Sequence, residues 1–194
     1  MNNDAAASLL TPLGMAISTG VLIALLLVAA VIDYRSLRIP NWLTLSGMVL
    51  GLAFSTALAA SPVSGLLGGL GGVAVGMLVL LPLYAIRVMG AGDVKLMGAA
   101  GAFLGVSGTL NALLFIAIAG GIAAVAVSLH RRSFRRMTSN LGEAAVQMLV
   151  FATVGGQRPG DALAAHSVGK LPYGICICAG TIAYVIARQF IGQA

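Results

Sequence analysis

Charge is what this chain lacks. Only 8% of its 194 residues are charged, against about 25% in soluble domains, so a water-soluble globular domain is excluded. Cysteine is almost absent. Cys176 and Cys178 are the only two, spaced CxC inside an apolar segment with no histidine cluster nearby. That excludes a disulfide scaffold and a structural zinc site, and the pair reads as small buried apolar residues. The two histidines, His130 and His166, have no metal-ligand pattern around them, and neither GxSxG nor HExxH occurs. Serine-type and zinc-type hydrolysis are disfavoured, and no metal or organic cofactor is implied. Acids are the scarcest charge, with 5 Asp and Glu against 11 Lys and Arg.

What is present is apolar length. The chain is 59% hydrophobic with mean hydropathy +1.03, the composition of an integral membrane protein. Its 26 glycines fall repeatedly at small-xxx-small spacing, as in Gly65/Gly69, Gly68/Gly72, Gly72/Gly76 and Gly101/Gly105. That spacing lets helix backbones approach closely in lipid. The pattern predicts an all-α fold of six spans in a single domain covering residues 1–194. The spans are about Met15–Ile32, Asn41–Ala60, Gly65–Ile86, Val94–Val106, Leu110–Leu129 and Pro172–Ala187. The fourth is short: from Gly92 to Gly108 a helix rises roughly 24 Å at 1.5 Å per residue, enough for a thin or pinched bilayer; a re-entrant loop is the alternative, disfavoured because it would send the Arg131–Arg136 cluster outside.

Net charge of +6 does not indicate nucleic acid binding, because the basic residues flank hydrophobic segments instead of forming a soluble basic face. Six spans with an external N-terminus place Arg35, Arg38, Arg87, Lys95, Arg131, Arg132, Arg135, Arg136, Arg158 and Lys170 on one side. Arg188 is the exception at the far end. The positive-inside rule makes the crowded side cytosolic, where anionic lipid headgroups attract basic loops. The first apolar run has no basic region before it and ends in Asp33-Tyr34-Arg35, so it reads as a first transmembrane helix and not as a removable signal. The longest connection, about residues 130–170, is expected to be cytosolic. Val146, Leu149, Val150 and Thr153 there suit an interfacial amphipathic helix.

Against this background two carboxylates stand out. Asp33 closes the first span, and Asp93 opens the fourth inside Gly90-Ala91-Gly92-Asp93. The topology sets both at the cytosolic interface. Ionisable groups at membrane depth are costly and signal function by default. Two adjacent carboxylates share a proton, so one form can activate water as a base while the other donates as an acid. Gly90 and Gly92 have access to backbone angles closed to other residues and leave room for a substrate backbone. Lys95 is placed to tune the local charge or to anchor the helix at the interface. Plainer roles stay open: a helix N-cap for Asp93, and an interfacial ion pair with Arg35 or Arg38 for Asp33. A proton- or ion-coupled transporter using the carboxylates as a relay is the rival class, and an assembly scaffold is a third. The lack of an inverted repeat argues against a transporter.

Three blocks together resemble the type IV prepilin peptidases. Asp33-Tyr34-Arg35-Ser36-Leu37-Arg38-Ile39-Pro40-Asn41-Trp42-Leu43-Thr44 is similar to that family's first block. Gly90-Ala91-Gly92-Asp93-Val94-Lys95-Leu96-Met97 looks like its GxGDxKL block. Leu171-Pro172-Tyr173-Gly174 looks like the start of its last helix. The resemblance implies that Asp33 and Asp93 are a catalytic pair in an aspartic endopeptidase of the bacterial cytoplasmic (inner) membrane. It further implies that the substrate is the N-terminal leader of a prepilin or pseudopilin, cut at the cytosolic face. Pro40, Asn41, Pro172, Tyr173 and Gly174 become candidate substrate-facing or structural residues. Longer members carry a cytosolic insertion with paired CxxC motifs and N-methylate the new terminus. No such motif pair occurs here, so the chain most resembles the short branch serving tight-adherence (Flp-type) pili.

Overall fold

A computed structural model describes residues 3–36, 38–85, 89–130 and 173–191. Five helices make up the described chain: α1 (Asn3–Ser36), α2 (Asn41–Leu58), α3 (Pro62–Ala85), α4 (Ala91–His130) and α5 (Tyr173–Ile191). All five contain a stretch long and apolar enough to cross a membrane, and no strand occurs among the described residues. The expected cytosolic loop, its amphipathic helix and Pro172 lie outside the described residues.

Prolines punctuate the elements. Pro40 is extended (φ −69°, ψ 140°) and caps α2 without a side-chain bond. Its carbonyl accepts the Leu43 N–H at 3.2 Å instead. Pro62 opens α3, where its missing N–H has no helical partner to lose. Between them the Ser55 hydroxyl donates to the Gly65 carbonyl at 2.9 Å, tying the end of α2 to the start of α3.

The expected spans Val94–Val106 and Leu110–Leu129 are two arms of α4. The break between them is not a loop but one residue, Gly105, at φ 68° and ψ −177°, a region essentially restricted to glycine. Among the described residues it is the one glycine with positive φ.

Residue pairings set the direction of each helix. On α3, Gly72 faces Gly101 and Gly76 faces Met97, so the first arm of α4 runs antiparallel to α3. Gly47 and Gly51 of α2 face Ala99 and Ala102, which makes α2 parallel to that arm. On α5, Tyr184 approaches Gly108 and Gly180 packs on Ile116, so the second arm runs antiparallel to α5. Asp33 meets Gly174, while residues 12–19 of α1 share a cavity with residues 185–189 of α5, so these two helices are also antiparallel. The ends bearing Asp33, Asn41, Asp93 and Tyr173 therefore gather at one end of the bundle.

The core is Leu22, Leu25, Leu26 and Ala29 of α1 with Leu96, Met97 and Ala100 of α4 and Ile177 of α5. Large apolar residues such as Leu27, Val31, Leu45, Val49, Leu67 and Leu114 point outward. In a bilayer those faces meet lipid, and close helix contact falls to small residues. The buried face of α3 is Gly65, Gly69, Gly72, Gly76 and Leu80.

Candidate active site

The buried stripe of α1 runs Leu22, Leu26, Ala29, Asp33 at spacings of four, three and four. That helical period carries the carboxylate inward on the same face as the leucines, and Asp33 is only 5% exposed. Its Oδ2 accepts the Gly174 backbone N–H at 2.9 Å. Gly174 lies in the first turn of α5, where N–H groups lack helical acceptors and the helix dipole favours a carboxylate.

Asp93 is in the first turn of α4 and 8% exposed. Its Oδ2 accepts the Gly90 N–H at 3.2 Å, and its own N–H donates to the Gly90 carbonyl at 3.2 Å. This reciprocal pair closes the glycine turn in the manner of a capping box. The second oxygen, Oδ1, is buried without a partner among the described residues. Leaving such a group unsatisfied costs about 1–3 kcal/mol.

Asp93 lies within electrostatic reach of the Asp33 carboxylate. Tyr173 and Cys176, on the first turn of α5, lie within electrostatic reach of Asp93 as well. Neither aspartate is ion-paired among the described residues. Lys95 instead donates from Nζ to Asn41 Oδ1 at 2.9 Å, bracing the start of α4 against the start of α2.

The glycines act differently from the expectation. Neither Gly90 nor Gly92 has positive φ. Gly92 is needed for contact, because a Cβ there would sit 3.0 Å from Ile39 Cβ. Gly90 is exposed and a Cβ would meet only Asp93 Oδ2, at 3.4 Å. Gly174 is the tightest of the three: a Cβ would lie 2.8 Å from Asp33 Oδ2. Its role as the partner of Asp33 was not apparent from the motif, although a glycine at the predicted start of a helix was the available signal. Cys176 and Cys178 are free and buried. Among the described residues no group of three or more His, Cys, Asp or Glu is placed to hold a metal ion.

The bundle thus presents two buried carboxylates at one end of an all-helical fold. The model of the type IV leader peptidase family matches residues 20–125, just over half the chain and a stretch containing both carboxylates. The chain belongs to the type IV leader peptidase family. It is therefore a membrane peptidase, and the family implies a prepilin-type substrate. No curated protein and no solved structure matches it.

Proposed function

We propose that the protein is an aspartic endopeptidase in which Asp33 and Asp93 together activate water. The observation that carries this reading is the pattern of satisfied and unsatisfied oxygens. Each carboxylate is held by one backbone N–H through Oδ2, and Asp93 keeps a buried Oδ1 with no partner among the described residues. A carboxylate fixed at one oxygen and free at the other is oriented yet able to hold water or a peptide carbonyl. One member of the pair takes the proton of the attacking water and the other donates to the leaving nitrogen. Burial at the bundle end strengthens both interactions by lowering the local dielectric.

The substrate is the leader of a prepilin or pseudopilin, cut at the cytosolic face of the inner membrane just before its apolar segment. Six crossings with an external N-terminus support that side. This reading counts the two arms of α4 that meet at Gly105 as separate crossings, and Arg35, Arg38 and Lys95 then share the aspartate end with the other basic loops. The exposed turn at Gly90 offers an open approach for an extended substrate backbone.

The test is cleavage of a co-expressed Flp-type prepilin by wild type, Asp33→Asn and Asp93→Asn, read by substrate mobility and the new N-terminus. Both variants are expected to remain in the membrane and to lose about 10²–10⁴-fold in rate, the scale of general acid–base catalysis. Normal cleavage by either variant sinks the paired mechanism.

A further inference from the structure

At the end of the bundle away from the aspartates, a cavity of about 910 Å³ opens between α1, α2, α3, the break in α4 and α5. Its volume falls in the roughly 300–1,000 Å³ range of ligand sites. Its walls combine Leu22, Leu58, Phe103 and Val185 with the hydroxyl residues Ser18, Thr19, Ser55 and Ser64, and its rim carries Arg188 and Gln189 on the last turn of α5. Gly105 lies in the lining, so the reversal of α4 helps to shape the space.

Arg188 is the one cation that falls on this side of the proposed topology. A helix C-terminus favours a cation, but that does not account for the cavity running in from it. The acids with described side chains, Asp33 and Asp93, are at the other end. The anion that a bilayer offers at this depth is a lipid phosphate, and the compound it comes attached to is an acyl chain. A cationic rim above partly apolar walls matches that amphiphile: guanidinium to phosphodiester, hydrocarbon to Leu22, Phe103 and Val185.

We propose that this cavity is a binding site for one anionic diacyl phospholipid of the leaflet opposite the aspartates, with Arg188 holding the phosphate. The site does not depend on the aspartyl mechanism, and its test does not read cleavage.

Full-length protein, purified in detergent and stripped of lipid, would be titrated with phosphatidylglycerol and with phosphatidylcholine, and the first bound lipid followed by native mass spectrometry. Wild type is expected to bind phosphatidylglycerol about tenfold or more tighter, the scale of one hydrogen bond to a charged group. Arg188→Gln should remove that preference and Arg188→Lys should keep most of it. Gly68→Leu should weaken both lipids, because Gly68 lines the cavity and a Cβ there meets nothing within 4 Å, so the added side chain starts into the cavity. Chain-free glycerophosphoglycerol should compete poorly. Three results overturn the proposal: an undiminished preference in Arg188→Gln, unchanged binding in Gly68→Leu, or full competition by the chain-free headgroup. The last would mark a simple anion site. Should Arg188→Gln fail to insert, the lysine and leucine variants decide the matter.

Discussion

Gly174 and Asp33 are 141 positions apart in sequence and 2.9 Å apart in space, joined by a backbone N–H on the first turn of the last helix and a carboxylate on the last turn of the first. The bond closes the bundle at the aspartate end. It holds one carboxylate oxygen still, and it does so with a main-chain donor whose position depends on where α5 begins.

Gly174→Ala tests this closure. The new Cβ would lie 2.8 Å from Asp33 Oδ2 and 3.0 Å from its Cβ and Cγ, well inside the 3.5–4.0 Å of comfortable contact. Either the carboxylate or the start of α5 must move. Because misplacement by about 1 Å can cost 10²-fold in rate, prepilin cleavage should fall roughly 10- to 100-fold. Overpacking should lower stability by about 1–3 kcal/mol. Cleavage rates and thermal unfolding of the same preparations check both numbers. A fully active alanine variant would show that the bond is incidental.

The Lys95–Asn41 bond makes a second prediction. A partly exposed bond of this kind contributes about 0.5–1.5 kcal/mol. Lys95→Met and Asn41→Ala should each lower stability modestly, and the double variant should be no worse than the poorer single one. If Lys95 only braces α4 against α2, both singles slow cleavage alike and leave its pH profile in place. A displaced pH profile in Lys95→Met alone would instead show Lys95 acting directly on the carboxylates.

Much of this architecture is legible before any coordinates. Apolar runs separated by proline and polar clusters mark the helices, and Asp33 follows the inward stripe of Leu22, Leu26 and Ala29 by helical spacing alone. Asp93 in its glycine turn is equally visible. What is not legible is which glycine does which job. Gly68 and Gly72 look alike as small-xxx-small partners, yet one faces open space and the other the backbone of α4. That choice depends on helix rotation, which an almost uniformly apolar surface does not encode. Likewise nothing local distinguishes Gly105 from the other glycines of α4 as the point where the helix turns back. The cavity beneath Arg188 arises from five helices at once, and a single sequence shows only the unexplained arginine.

Gly105→Ala should be costly for a backbone reason. At φ 68° and ψ −177°, a residue with a Cβ stores about 1–3 kcal/mol of strain. The nearest atom to an added methyl is the Gly68 carbonyl oxygen at 3.8 Å, an ordinary contact, so crowding adds nothing. Unfolding measurements should therefore show a loss in that range. A neutral alanine would mean that the break relaxes to ordinary helix at no cost.

Gly72→Ala and Gly68→Ala, four residues apart on α3, separate close packing from glycine content. A Cβ at Gly72 would strike the Gly101 carbonyl oxygen, with the Gly101 carbonyl carbon at 2.8 Å and that of Gly105 at 3.0 Å. These are backbone atoms, which cannot swing aside as a side-chain end does, so α3 and α4 must separate along their whole contact. A loss of about 2–3 kcal/mol is expected, at the upper part of the overpacking range. At Gly68 the same methyl meets nothing within 4 Å, and the smaller unfolded-state entropy of alanine stabilises by up to about 1 kcal/mol. Thermal unfolding of the two variants in one detergent should therefore move in opposite directions or leave Gly68→Ala level. Equal destabilisation by both would mean that α3 is rotated from the arrangement described, with Gly68 facing α4.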